Sequence, residues 1–216
     1  MKFTPIDMNT WPRRQMFAYF SKMAPTGYSI TVNTDVTGLK NALKKRGLKF
    51  FPAYLWLITK CLNEQMEFRI AEKDGVLGFY DTLTPLYASF HEDDRTFSLM
   101  WTEFDDDLKL FHQHYLENRL LFGQNHGVLS QPQTLPPENT YTVSAVPWIS
   151  FTHFAVHSYE NKPYYFPSVE AGKILTEKSR ELLPLSLTCH HAATDGYHIH
   201  LFLNRLQEEI DRLILE

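Results

Sequence analysis

The sequence predicts an α/β (α+β) fold built around one large β-sheet, and three observations lead to this prediction. Short apolar runs of strand composition alternate with segments of helical periodicity. Of the 216 residues, 44% are hydrophobic, which is enough to bury one large core. No linker rich in Gly, Ser or Pro interrupts the chain, so we expect one domain over residues 1–216 rather than two small lobes.

The N-terminal elements follow from periodicity and from residues that start or stop helices. In chain order we expect a short helix at 16–20, a half-buried strand at 28–33, a helix at 37–46 and a buried helix at 52–62. Thr37 can cap the second helix and Gly47 can end it. Pro52 suits a first helical turn, where no amide hydrogen is needed.

The remaining elements include more strands than helices. Asp74-Gly75 indicates a hairpin turn, and Asp105-Asp106-Asp107 suits a helix start because carboxylates complement the positive end of the helix dipole. Further strands are predicted at 86–91, 96–104, 140–156 with an interruption at Pro147, 171–176 and 182–191. An amphipathic helix that carries Ile199, Phe202, Leu206 and Ile210 on one face should end the chain.

Charge and composition exclude several classes of protein. The net charge is -4, and no basic face suited to nucleic acid is apparent. The most apolar run, 50–58, is too short to span a bilayer, and the N-terminus lacks a signal-peptide pattern. Cys61 and Cys189 suit buried free thiols in a reducing compartment. We therefore expect a cytoplasmic protein with no nucleic-acid or membrane partner.

The run from His190 to Gly196 is the strongest chemical feature. It follows an apolar strand and precedes the last helix, a position where catalytic groups are often held on a rigid scaffold. Neighbouring side chains on a strand point to opposite faces, so one of His190 and His191 should face a cavity. Asp195 could orient an imidazole or anchor the loop. For a histidine pair taken alone, two packed core histidines beside a simple turn that caps a helix are the better explanation.

Other chemistries find less support in the sequence. His198 and His200 diverge on a helix, so a metal site with His190 and His191 is disfavoured, and we expect no metal. No phosphate-binding loop, dinucleotide fingerprint or nucleophile elbow is present. Direct group transfer with a histidine base remains, since it needs no covalent intermediate on the protein.

Several motifs, in order, resemble one family. His190-His191-Ala192-Ala193-Thr194-Asp195-Gly196 resembles the HHxxxDG signature of the chloramphenicol acetyltransferases. The other matching segments are Trp11-Pro12-Arg13-Arg14, Phe90-His91 with Thr96-Phe97-Ser98, Ser144 to Phe151 and Leu183-Pro184-Leu185-Ser186. The resemblance spans essentially the whole chain. It implies a two-layer sandwich in which helices cover a large mixed sheet, as in CoA-dependent acyltransferases.

The resemblance also implies a function and an assembly. The expected reaction is O-acetyl transfer from acetyl-CoA to chloramphenicol, with acetyl-CoA as co-substrate and no tightly bound cofactor. A homotrimer is implied, with active sites at subunit interfaces. Two alternatives are the same transfer to another small hydroxyl or amine acceptor, and a non-catalytic trimer that binds a ligand.

Site residues follow from matching each motif position. The resemblance implies that His191 is the general base, that Ser144 donates to the oxyanion, and that Asp195 and Arg13 form an ion pair holding the histidine loop. Along the CoA channel it implies Trp148, Lys49 and Phe51. For the acceptor pocket it implies Tyr19, Phe20, Thr26, Tyr28, Phe97, Val156 and Glu170.

Glu170 departs from the family pattern, in which a Thr that binds the acceptor through water normally stands at this position. A carboxylate here would change the polarity of the pocket. The departure therefore bears on the identity of the acceptor more than on acetyl transfer.

Overall fold

The computed structural model describes residues 1–131, 135–157 and 164–216. The strands of these ranges are β1 (Phe3–Pro5), β2 (Gly27–Asp35), β3 (Ile70–Lys73), β4 (Val76–Tyr80), β5 (Thr84–Phe90), β6 (Phe97–Trp101), β7 (Thr140–Ala145), β8 (Ser168–Ala171), β9 (Leu175–Glu177) and β10 (Arg180–His190). The α-helices are α1 (Arg14–Ala18), α2 (Leu39–Lys45), α3 (Phe50–Asn63), α4 (Leu108–Phe122) and α5 (Gly196–Leu215). A π-helical turn (Tyr19–Met23) continues α1, and a 3-10 turn (Met66–Arg69) precedes β3.

One large sheet dominates the chain, as predicted. Its strand order is β2-β10-β8-β7-β5-β6, and β9 pairs with the outer part of β10. β7 runs parallel to β5 and β8, whereas β10 is antiparallel to β2 and β8, so the sheet is mixed. The predicted α/β (α+β) sandwich with a mixed sheet is confirmed. A second sheet has the order β1-β4-β3, and its hairpin turns at Asp74-Gly75, where both residues have positive φ.

The two faces of the large sheet have different chemistry. On β10, Leu185 and Leu187 are fully buried in the main core with helices α3 and α5. The intervening Ser186 and Thr188 belong to the opposite face, because side chains alternate along a strand. Over 185–188 the strand thus alternates apolar and polar residues, and the second face of the sheet carries the polar ones.

Helix α3 is buried almost all round, as its composition predicts, whereas α5 buries a single stripe. Asp107 caps α4 by accepting bonds from the amides of Lys109 and Leu110, so the acidic run acts at a helix start. Both cysteines are free and buried, in agreement with the sequence expectation. Across the described ranges, no helix is both long and apolar enough to cross a membrane.

Some predicted element boundaries are wrong. Gly38, with φ 84°, begins α2, while the Thr37 hydroxyl donates to Asp35 instead of capping the helix. The strand predicted at 140–156 ends at Ala145, because Pro147 cannot donate to a ladder. The strand predicted at 171–176 divides into β8 and β9 around Gly172. In each case a local turn replaces a longer regular element.

Candidate active site

His191 lies immediately after β10 in the short turn that leads to α5. Its backbone amide donates to the carbonyl of Thr26 at 2.8 Å, which ties the turn to the start of β2. Its ring Nδ1 is 3.0 Å from the carbonyl oxygen of Thr194. A carbonyl can only accept, so Nδ1 carries the hydrogen and Nε2 keeps its lone pair. The fold therefore fixes the tautomer in which Nε2 of His191 is free to accept a proton.

Aromatic rings surround this imidazole. The Phe20 ring centroid is 4.1 Å from that of His191, and the Tyr28 ring meets it edge-on at 5.1 Å. Tyr19 packs edge-on against Phe20 at 5.0 Å, and the Thr26 hydroxyl donates to the carbonyl of Ala24. Four of the predicted acceptor-pocket residues thus gather around the predicted base.

The environments of the two histidines are different. His190 Nδ1 accepts a hydrogen bond from the amide of Ala192 at 3.1 Å, and its ring packs edge-on against buried Tyr165 at 4.9 Å. Burial, and then the neighbouring His191, lowers the pKa of His190. His190 is therefore a packing residue, and His191 is the one directed toward the aromatic pocket.

Asp195 joins the histidine turn to two other elements. One carboxylate oxygen lies 2.6 Å from Nη1 of Arg13, and the other accepts from the amide of Tyr197 at 3.0 Å as the cap of α5. Burial acts to raise the pKa of Asp195, but hydrogen bonding from Arg13 and the charges of His198 and Arg13 lower it to about 2. Arg13 and Asp195 do meet, as the resemblance implies.

Three residues of this network were not identified from sequence. Thr194 supplies the carbonyl that orients His191, and its hydroxyl accepts a bond from Tyr28 at 3.2 Å. His198 lies between Asp195, at 2.9 Å, and Glu67, at 3.7 Å. The carboxylate of Glu67, and then the charge of Asp195, raise the pKa of His198 against the effect of burial. Thr194 stands inside the HHxxxDG motif and His198 lies two residues after it, whereas no sequence signal points to Glu67.

Ser144 and Glu170 are in register on neighbouring strands β7 and β8, and Glu170 is in register with Ser186 on β10. All three side chains therefore lie on the polar face of the sheet. Ser186 donates to the carbonyl of Phe154 at 2.5 Å, so the segment that leads to Val156 crosses this face. Among the described residues, the Ser144 hydroxyl makes no hydrogen bond.

Glu170 is a fully buried carboxyl group. Oε1 accepts a hydrogen bond from Ser168, while Oε2 has no partner within the ranges that the structure describes. Burial raises the pKa of Glu170 to about 7, although the bond from Ser168 acts in the opposite direction. A buried carboxyl group with one unsatisfied oxygen is costly unless it is neutral or meets a ligand.

Ser144 and His191 are far apart within one chain. Both Ser144 and Ser186 are in register with Glu170, and His191 lies five residues beyond Ser186 on the β10 side. At about 3.3 Å per residue and about 4.8 Å between strands, their Cα atoms are separated by about 19 Å. One chain therefore does not bring the predicted base and the predicted oxyanion donor together.

The other predicted contact residues lie at the β5–β6 hairpin, on the segment that crosses the polar face, and at the start of α3. Phe97 (59% exposed) is opposite Phe90 in the β5–β6 hairpin, and the Phe90 ring meets that of Trp148 (62% exposed) at 5.1 Å. Val156 is exposed near the end of the segment crossing the polar face. These large exposed apolar groups suit a surface that a ligand or another subunit covers.

Lys49 and Phe51 lie at the start of α3. Lys49 is exposed, and its backbone amide donates to His112 Nε2 at 2.9 Å. Phe51 is half-buried among the rings of Tyr54, Tyr87 and Tyr115. The structure gives Phe51 a packing role, and its part in a CoA channel stays a prediction.

A family model described as chloramphenicol acetyltransferase matches residues 1–207 of this chain. A chloramphenicol acetyltransferase of Clostridium perfringens is 39% identical over 210 residues, which cover 96% of this chain and 94% of that protein. Chloramphenicol acetyltransferase 2 of Escherichia coli is 37% identical over 214 residues, covering 99% of this chain and 100% of that protein.

Solved structures show the same fold. A structure named chloramphenicol acetyltransferase has a TM-score of 0.87 at 24% identity, over 96% of this chain and 99% of the other. The cubic core of a pyruvate dehydrogenase multienzyme complex gives 0.63 at 19% identity, over 94% of this chain and 89% of the other.

Proposed function

Because the chain belongs to the chloramphenicol acetyltransferase family, we propose that it transfers the acetyl group of acetyl-CoA to a hydroxyl of chloramphenicol. The chain is thus an acyltransferase, and acetyl-CoA is its co-substrate. The observation that carries the proposal is the bond from His191 Nδ1 to the Thr194 carbonyl, which leaves Nε2 free to act as a base.

The reaction follows from this tautomer. Nε2 of His191 takes the proton of the acceptor hydroxyl as that oxygen attacks the thioester carbonyl. The tetrahedral intermediate collapses with release of the CoA sulfur, which recovers the proton from the imidazolium. Phe20 and Tyr28 pack around the ring and limit its access to water, so the proton is exchanged mainly with the reactants.

The Ser144 hydroxyl stabilises the negative oxygen of that intermediate. A preorganised donor of this kind lowers the activation barrier by about 2.7–4 kcal/mol. Since Ser144 and His191 of one chain are about 19 Å apart, the donor facing a given His191 comes from another subunit. We therefore propose that the active sites lie between subunits. A homotrimer is the assembly that the family resemblance implies, and Trp148, Lys49 and Phe51 would lie on its CoA side.

Chloramphenicol-dependent release of CoA thiol tests the activity. Saturable release with a KM at or below about 1 mM is expected for the intact protein, together with resistance of expressing cells to the antibiotic. His191→Ala should abolish the release. Absence of any drug-dependent thiol release at about 1 mM chloramphenicol would exclude this drug as a substrate.

Complementation between two inactive variants tests the shared site. His191→Ala and Ser144→Ala should each keep at most about 1% of the activity, but a trimer refolded from an equal mixture contains interfaces that carry both wild-type groups. If chains mix at random, about one quarter of the sites are restored. Recovery of about 25% of activity supports the interfacial site, and no recovery in demonstrated mixed trimers contradicts it.

Glu170 favours a second candidate, the same transfer to another small hydroxyl or amine acceptor. Its Oε2, which has no partner among the described residues, lies on the polar face on the strand next to Ser144, where an acceptor with a hydrogen-bonding group could meet it. Glu170→Thr should lower the KM for chloramphenicol if Glu170 opposes the drug. If the KM is unchanged while wild-type turnover is efficient, this second candidate loses its support.

A further inference from the structure

Four polar residues meet at the tip of the β5–β6 hairpin, apart from the site described above. His91, Asp93 and Asp94 belong to the hairpin turn, and His126 belongs to the segment after α4. One ligand atom from each of His91, Asp93 and His126 falls within 4.8 Å of the others. His91 is buried, whereas Asp93 and His126 are exposed.

The His91 ring is oriented by a hydrogen bond behind it. Its Nε2 is 2.8 Å from the Ser98 hydroxyl oxygen, and that hydroxyl donates its own hydrogen to the carbonyl of Asn125 at 3.0 Å. The hydroxyl can therefore only accept from His91, so Nε2 carries the hydrogen. The lone pair of His91 is then on Nδ1.

The His126 ring is oriented in the opposite sense. Its Nδ1 is 2.8 Å from a carboxylate oxygen of Asp94, to which it donates, and its Nε2 lies 3.4 Å from Oδ2 of Asp93. The other oxygen of Asp94 accepts from the amide and hydroxyl of Thr96, which holds the carboxylate in place. A carboxylate behind a histidine whose second nitrogen is free is the usual support of a metal-binding imidazole.

We propose that His91 Nδ1, His126 Nε2 and a carboxylate oxygen of Asp93 form a binding site for Zn²⁺. Two imidazole nitrogens and one carboxylate oxygen, with water in the fourth position, are ligands that zinc accepts in tetrahedral geometry. Mg²⁺ and Ca²⁺ prefer oxygen ligands and are not favoured by this set. Asp94 and Ser98 orient the two imidazoles without binding the ion.

Coordination requires one movement. The two imidazole rings are stacked at 4.1 Å with an angle of 18° between their planes, so their lone pairs do not yet converge. The His126 side chain is 42% exposed, so its ring can tilt out of the stack about its hydrogen bond to Asp94, while buried His91 stays fixed. The ion would thus bind first to His91 and Asp93 on the hairpin, and His126 would then move to become the third ligand.

A bound ion would cross-link two segments, the β5–β6 hairpin and the segment after α4. The segment after α4 already pairs with β6 through the bond from the Leu99 amide to the Val128 carbonyl at 2.8 Å. An ion bridging His91 and His126 would add a second connection next to Phe90, which contacts Trp148. A ligand that binds only the folded chain stabilises it in proportion to its concentration and affinity.

Calorimetric titration of the chelator-treated full chain with ZnCl₂ tests the proposal. His126→Gln removes an exposed ligand, Asp94→Asn removes only the supporting charge, and His200→Gln removes an exposed histidine of α5 as a matched control. Wild type and His200→Gln should show the same saturable site, and MgCl₂ should not compete for it. Asp94→Asn should weaken the binding about 10–100-fold, and His126→Gln should abolish it.

Other histidines of the chain can bind zinc weakly, so the difference between variants decides the outcome. Circular dichroism confirms that His126→Gln is folded, and its acetyltransferase activity in chelator should match wild type. A zinc isotherm of His126→Gln that superimposes on that of wild type overturns the proposal, as does a wild type without a saturable site. Either result leaves the proposed acetyl transfer untouched.

Discussion

The end of the large sheet near His191 (the histidine end) and the part near Ser144 (the serine end) differ in one respect. They differ in how many of their polar and apolar side chains find partners within one chain. At the histidine end, Asp195, Arg13, Thr194 and Thr26 fix His191 through hydrogen bonds formed within a single chain. At the serine end, Trp148 is 62% exposed and Oε2 of Glu170 has no partner among the described residues. The first end is preorganised by folding, while the second presents groups suited to a ligand or another subunit.

The largest expected effect is a loss of turnover when the histidine end is altered. His191→Ala should lower kcat by about 10³–10⁴-fold, because no neighbouring group replaces a positioned base. The matched control is His190→Gln, which changes a packing histidine and should lower kcat less than tenfold. Steady-state thiol release measures both variants. Equal losses in the two would show that the two histidines do not have separate roles.

The next effect concerns the serine end. Ser144→Ala should lower kcat by about 10²–10³-fold with little change in the KM for either substrate, because the hydroxyl acts on the intermediate. Ser144→Thr keeps a hydroxyl and should recover part of the rate. If Ser144→Ala changes the KM instead of kcat, the hydroxyl binds substrate and does not stabilise the oxyanion.

A third prediction separates the two roles of Asp195. Asp195→Ala should lower the free energy of unfolding by about 3 kcal/mol, since it removes the cap of α5 and leaves Arg13 unpaired. Asp195→Asn keeps the cap and should cost about half as much. Chemical denaturation of both variants gives the comparison, and indistinguishable values would exclude a contribution from the ion pair.

The smallest effect concerns the pH dependence of stability at the serine end. The pKa of Glu170 is about 7 in the folded chain, above its ordinary value, so the folded state holds the proton more tightly. Its contribution is present at low pH and is lost as pH rises through 7. Wild type should lose about 2 kcal/mol relative to Glu170→Gln between pH 5.5 and 7.5. A constant difference in denaturation midpoints across this range would show that Glu170 is ionised throughout.

Much of the fold could be read from local pattern, and the errors have local causes. The buried α3, the Asp74-Gly75 hairpin and the amphipathic α5 agree with prediction because their periodicity or turn chemistry is strong. The strand boundaries near Pro147 and Gly172 were wrong because apolar composition continues across turns that only backbone geometry reveals. Glu67 and the separation of Ser144 from His191 had no sequence signal, since both depend on how distant segments pack.

The sequence alone determined the family and the motif that holds His191 and Asp195, because these depend on residue identity and spacing along the chain. The tertiary structure decided which histidine has a free Nε2. It also decided that Glu170 is buried and that one of its oxygens has no partner in residues 1–131, 135–157 and 164–216. The strand register also places Ser144 and His191 well apart in one chain, about 19 Å at ideal strand spacings. The burial of Glu170 and the distance between Ser144 and His191 depend on which strands pair in the sheet. The tautomer of His191 depends instead on the turn after β10, which brings the Thr194 carbonyl to Nδ1.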